Sequence, residues 1–287
     1  MLSSEVEGSA VKQTAAGPIT RLCGVLHRIA LPALVAFATV TALPAQARDL
    51  VVYGEPTLKP VLTTLGALWR AKGNSRVHVF VAPTALSFEQ IARDTRCDVI
   101  FALAGPATDA AEERELFDSD SRIVAFGNAL VLVARAASAT TPGDPRVILA
   151  GKRLAIANPD RDVAGGYGLQ ALRAAGATVD PAGRSVMVAE SAAGVLQFLA
   201  DGNADVGVVY ASDAAANPEF KLLARFDTAS HPPIVYVAAQ TAHADDDSDS
   251  EGFLDFLTTP EAKAAVAAAG LIPAASKTAQ AQPRSPP

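Results

Sequence analysis

Short runs rich in Val, Ile and Leu alternate with segments of helical length from residue 50 to residue 269, and no other feature of the sequence limits the fold as strongly. Alternation of this kind specifies a layered α/β architecture with mostly parallel sheets, because each strand needs a helix to cover its apolar face. Strands are predicted at 50–53, 77–81, 99–102, 123–126 and 130–133, with helices at 87–94 and 106–117. Another helix is predicted after the first strand, where Leu58, Val61, Leu62, Leu65, Leu68 and Trp69 recur three and four apart and build one apolar face. A linker of Thr, Pro, Gly and Asp at 140–144 ends this half. The alternation then restarts, with strands at 153–157, 186–189, 206–210, 222–226 and 234–239 and helices at 168–175, 192–200, 253–257 and 261–269. Two similar halves imply two lobes with a cleft between them, at the carboxyl ends of strands where helix N-termini converge.

Residues 1–47 are kept out of this fold. Arg21 and Arg28 precede an apolar run at 29–40, and Ala45-Gln46-Ala47 fits the small-x-small rule, so an export signal cleaved after Ala47 is expected. The run is shorter than the ~20 residues that span a bilayer, and Pro32 interrupts it. Cys23 precedes the run, which argues against a lipid anchor, and its loss leaves Cys97 with no disulfide partner. Half of the 287 residues are hydrophobic and 19% are charged, which excludes a disordered chain, although the tail at 274–287, rich in Ala, Gln, Ser and Pro, is expected to be disordered. The formal charge is −6, and Lys and Arg do not cluster on any predicted element, so nucleic acid and anionic membrane surfaces are not expected partners. An anionic small ligand remains open, because local dipoles hold an anion whatever the global charge.

The common catalytic signatures are missing: the sequence has no G-x-S-x-G, P-loop, C-x-x-C or H-E-x-x-H. His78, His231 and His243 fall on unrelated segments and read as solvated or edge histidines rather than as a metal site or triad. The acidic run 245–251 has the look of a calcium loop, but Ser250 stands where the glycine is needed and Phe256 where the final Glu is needed, so it reads as a solvated loop capping the next helix. Gly166-Tyr167-Gly168 with Ala171 and Glu190 satisfies the dinucleotide fingerprint in form. Asn158 to Gly165, Pro159 among them, intervene after the strand, and the glycines read better as easing entry into a helix or presenting N–H groups to an anion.

A stronger signal lies in the junctions where strands run into helices. Tyr53-Gly54-Glu55-Pro56-Thr57 opens the first helix and Ala82-Pro83-Thr84-Ala85-Leu86 the second, with Thr following Pro in each. Each Thr can cap its own helix, and each equally offers an N–H and a hydroxyl at the positive end of a helix dipole. In the second half Ala164 and Gly165, Ser191 and Ala192, and Tyr210 end the corresponding loops. Four helix starts and one phenol can thus face a single cleft.

With these junctions the sequence resembles the periplasmic molybdate-binding proteins of ABC transporters, which have the two-lobed type II fold of periplasmic binding proteins. The resemblance runs from about 50 to 272 and rests on Asp98-Val99-Ile100-Phe101, on 127–133, on Asn158-Pro159 through Val163-Ala164-Gly165, and on Gly207-Val208-Val209-Tyr210-Ala211-Ser212-Asp213-Ala214. It implies an exported, monomeric receptor without catalysis or cofactor, placed in the periplasm, that binds molybdate or tungstate and serves an ABC permease with its ATPase. It also implies lobe 1 at 48–130 with 235–273, lobe 2 at 131–234, and closure around 130–134 and 234–238. The anion's oxygens would be held by neutral donors: the hydroxyls of Thr57 and Thr84, the N–H groups of Ala164 and Ala192, and the hydroxyl of Tyr210. About five to seven charge-assisted bonds of roughly 1.5–3 kcal/mol suffice for the ~8 kcal/mol of micromolar binding.

The departures from the family lie in the first lobe, where this chain has Gly54, Glu55, Pro56 and Pro83. Proline removes its own N–H, while those of Thr57 and Thr84 remain. A carboxylate at ~5 Å from a dianion costs several kcal/mol at intermediate dielectric, so Glu55 either points outward, pairs with a cation such as Lys59, or signals a different ligand. The competing readings are the same fold with another oxyanion or a small organic acid, the effector domain of a transcription regulator, which would need a helix-turn-helix where this chain has an export signal, and an enzyme using Glu55 as a base.

Overall fold

The computed structural model describes residues 48–242, 244 and 247–274. The expected export signal, His243, Asp245, Asp246 and the tail from 275 lie outside the described residues. Among the described residues the chain forms two sheets. The first contains β1 (Leu50–Gly54), β2 (Val77–Val81), β3 (Val99–Leu103), β4 (Ile123–Asn128), β10 (Ile234–Gln240) and β11 (Ile272–Pro273), in the order β11-β4-β10-β3-β1-β2. The second contains β5 (Leu130–Arg135), β6 (Leu154–Ala157), β7 (Val186–Ala189), β8 (Val206–Tyr210) and β9 (Phe220–Arg225), in the order β7-β6-β8-β5-β9. The chain passes from the first sheet to the second at Ala129, between β4 and β5, and returns between β9 and β10.

Both sheets are mixed, which corrects the expectation of mostly parallel sheets. β1 pairs in parallel with β2 and β3, but β10 runs antiparallel to β3 and β4. In the second sheet β6 pairs in parallel with β7 and β8, whereas β5 is antiparallel to β8 and β9. β5 and β10 are the strands on which the chain enters a sheet from the other one, and a chain that crosses directly between sheets carries no covering helix to reverse its direction; the short β11, after α9, also pairs antiparallel with β4.

The helices are α1 (Lys59–Ala71), α2 (Thr84–Ile91), α3 (Pro106–Glu113), α4 (Pro145–Leu149), α5 (Val163–Ala174), α6 (Ala192–Ala200), α7 (Ala211–Ala216), α8 (Asp247–Phe256) and α9 (Pro260–Ala268). α1 buries Val61, Leu62, Leu65 and Trp69, the face that its sequence period marks out. The Trp69 ring meets Phe253 edge-on at 5.7 Å and Phe256 at 5.8 Å, so α8 is clamped over α1 by aromatic contact. This accounts for a second correction. Asp247 to Ser250, read as part of a solvated loop, belong to α8, whose place is fixed by the buried Phe253 and Phe256 further along. Among the described residues no group of three His, Cys, Asp or Glu side chains is arranged to hold a metal ion. Cys97 is a free, buried thiol.

In the second half the glycines fix where a helix starts. A Cβ on Gly165 would lie 2.3 Å from the carbonyl oxygen of Ala157, so the first turn of α5 can press against the end of β6 only with glycine there. Gly166 and Gly168 lie inside α5, past the strand end where a dinucleotide loop would need them. On the first lobe, the ring stack of Phe101 on Phe126 at 5.7 Å, with Tyr236 against Phe126 at 5.8 Å, packs behind the strand ends that carry the site.

Candidate functional site

A cavity of about 850 Å³ lies where strand ends of the two sheets meet. From the first sheet its walls come from the segment after β1, a 3-10 turn at Pro56–Leu58, and from the start of α2. The second sheet contributes the starts of α5 and α6, the end of β8 and the first turn of α7. Thr57, Thr84, Ala192 and Tyr210 all line it. Ala164 does not; the adjoining Asp162 and Val163 do. Four of the five residues singled out from sequence therefore share one cavity, and the fifth lies one residue from its wall.

Donors of Thr57, Thr84, Ala164 and Ala192 are already engaged by carboxylates of the same chain. Glu55 neither faces outward nor pairs with Lys59. It turns to the start of α2, where its Oε1 accepts the Thr84 N–H at 2.6 Å and the Thr84 hydroxyl. The Thr84 hydroxyl oxygen in turn accepts the Leu103 N–H at 3.0 Å. Thr84 thus does not cap its own helix; the residue at the cap position is Pro83, which has no side-chain oxygen, and Glu55 supplies the missing acceptor from 29 residues away. Thr57 donates its hydroxyl to Asp213 Oδ1 at 2.5 Å, and the Ser212 hydroxyl lies 3.0 Å from the Thr57 hydroxyl oxygen. Asn128 donates to Ser212 at 2.9 Å, so a polar chain links the β4 end, α7 and the turn after β1. Asp162 caps α5, accepting the Ala164 N–H at 2.8 Å, and the Ala192 N–H also favours its ionised form.

Burial raises the proton affinity of all three carboxylates. For Glu55 burial outweighs the two Thr84 bonds that favour the charge, and the Asp162 charge raises it further. Burial likewise raises Asp162, against its two N–H partners. Asp213 is pushed up to about 6 by burial, opposed by the Thr57 hydroxyl and assisted by the Asp162 charge. Its Oδ2 is buried without a hydrogen-bond partner. Burial, with Tyr236 and all three carboxylates nearby, holds the Tyr210 phenol well above its ordinary value, so Tyr210 stays a protonated donor across the physiological range. Two guanidiniums reach the rim, each paired: Arg122 with Glu112 at 2.6 Å and Arg161 with Glu190 at 3.2 Å.

Sequence reasoning gave no role to Asp162 or Asp213. Asp162 left a usable signal, an Asp directly before a helix start, the commonest place for an N-cap acceptor. Asp213 left none, since its partner Thr57 is 156 residues away.

Mixed sheets joined by direct crossings, with a polar cavity between the strand ends, define the two-lobed periplasmic-binding-protein-like α/β fold. The sequence matches the family described as bacterial extracellular solute-binding protein over residues 50–272, and the chain belongs to that family. It is similar to the molybdate-binding protein ModA of Escherichia coli K12, 28% identical over 240 residues that make up 80% of this chain and 91% of that protein. The molybdate-binding protein ModA of Haemophilus influenzae is 28% identical over 196 residues, 66% of this chain and 76% of that protein. Among solved structures, the periplasmic molybdate-binding protein of Azotobacter vinelandii shares the fold with a TM-score of 0.64 and 22% identity, over 78% of this chain and 99% of that one.

Proposed function

We propose that this protein is an exported receptor that captures molybdate or tungstate and hands it to the permease and ATPase of an ABC importer. The observation that carries the proposal is the convergence of Thr57, Thr84, Ala192 and Tyr210 on one cavity between the two sheets. The similarity to two molybdate-binding proteins supports the choice of anion. Neutral donors suit such a ligand: fixed hydroxyls and N–H groups reward an oxyanion whose size fills the closed cleft and leave donors unpaired around a smaller one. Closure of the two lobes on the anion would then be the signal that the permease detects. The protein itself makes and breaks no covalent bond in this reading, and no cofactor is called for beyond the cargo.

A second reading keeps the fold and changes the cargo to another oxyanion or a small organic acid. It is favoured by the cavity, whose volume of about 850 Å³ lies in the range of pockets that hold organic ligands. Titration calorimetry with molybdate, tungstate, sulfate and phosphate separates the two. Heat with the first two and none with the last two is expected, and silence with molybdate and tungstate refutes the primary reading.

A further inference from the structure

Oxyanion capture at this cleft has to contend with a group that holds the first-lobe donors. The Thr84 N–H and hydroxyl both go to one oxygen of Glu55. A carboxylate and a molybdate oxygen offer those donors the same thing, a charged acceptor at the positive end of α2. They cannot both have it, because one N–H makes one strong bond and two negative oxygens on a single hydrogen repel. We infer that Glu55 is a built-in competitor for the anion position of the first lobe, so that binding is an exchange in which the ligand takes the Thr84 donors and the Glu55 carboxylate gives them up. The inference rests on the oxyanion reading of the cleft and adds the residue that sets its affinity.

The arrangement fits this role. Glu55 follows the last residue of β1 in an extended conformation and lies directly before a turn that Pro56 begins, so its backbone is held while its side chain reaches across to α2. Pro83 gives α2 no cap of its own. Whatever accepts from Thr84 therefore also caps the helix, and an incoming anion can take over that duty without leaving the helix end bare. Asp162 and Asp213 hold other donors of the cleft in the same manner, but Glu55 alone engages both the N–H and the hydroxyl of one proposed ligand residue.

A purely structural role for Glu55, as a remote cap of α2, makes the opposite prediction for ligand binding, and this separates the two. In calorimetric titrations with sodium molybdate and sodium tungstate, Glu55→Ala is expected to bind at least ten-fold more tightly than the wild type. Glu55→Gln, which keeps the shape and an acceptor oxygen but loses the charge, should fall between them. The amide resonance of Thr84 gives an independent readout: it should shift on anion addition in the wild type and start from a different position in Glu55→Ala. Equal affinities in the three proteins, or weaker binding by Glu55→Ala, overturn the inference and leave the oxyanion reading standing. Absence of binding by all three overturns that reading and the inference with it. Binding by Glu55→Ala alone means that the wild type captures no anion, which overturns the exchange and the oxyanion reading of the native cleft together.

Discussion

Replacing Asp213 by Asn should remove a pH dependence of stability that this one carboxylate imposes. Asp213 sits in the first turn of α7 with Oδ1 bonded to the Thr57 hydroxyl and Oδ2 buried without a partner. Burial moves it from the ordinary 3.8 up to about 6. At ~1.36 kcal/mol per pH unit, that difference amounts to about 3 kcal/mol. The folded protein binds this proton more tightly than the unfolded chain does, so the group's contribution is most favourable below pH 4 and is lost as pH rises from 4 to 6. Asn cannot ionise, and any cost of packing its amide is the same at every pH. The stability difference between Asp213→Asn and wild type should therefore shift in the variant's favour by about 2–3 kcal/mol between pH 4 and pH 8. Urea unfolding followed by Trp69 fluorescence at pH 4, 6 and 8 measures it. A difference that stays constant across that range refutes the idea that Asp213 is buried at a cost in charge.

Tyr210→Phe removes the phenol donor while keeping the ring in place, so oxyanion affinity should fall by about 1–3 kcal/mol with little change in the unfolding midpoint; unchanged affinity would put the anion elsewhere. Gly165→Ala places a methyl 2.3 Å from the Ala157 carbonyl oxygen and should destabilise the protein by about 3 kcal/mol or more, read from chemical unfolding, because backbone rather than a flexible side chain has to move. The Cys97 thiol is fully buried and its pKa is raised by that burial, so it should resist a thiol-specific reagent in native protein and react promptly in urea.

Much of the fold was legible because local pattern and tertiary demand agree. The strands at 186–189 and 206–210 and the helix at 192–200 form over the residues the sequence marks, since each run is preceded by Ser or Asp and its length, four or five residues for the strands and nine for the helix, suits the element it forms. Helix edges are less well read in both halves: α2 begins at Thr84 rather than at 87, α3 stops at Glu113 rather than reaching 117, α5 begins at Val163 rather than at 168, and α8 begins at Asp247 rather than at 253. The short α4 and α7 escaped notice, as five or six residues hold too little periodicity to register.

The sequence by itself determined the layered α/β class, the apolar faces that make the two cores, and the hydroxyl and N–H groups at the helix starts, because these depend on residue type and near-neighbour spacing. Only the tertiary structure decided strand direction within the sheets and, above all, who holds those donors. Glu55 meets Thr84 across 29 residues and Thr57 meets Asp213 across 156, and no local period encodes where a side chain turns once distant segments have packed.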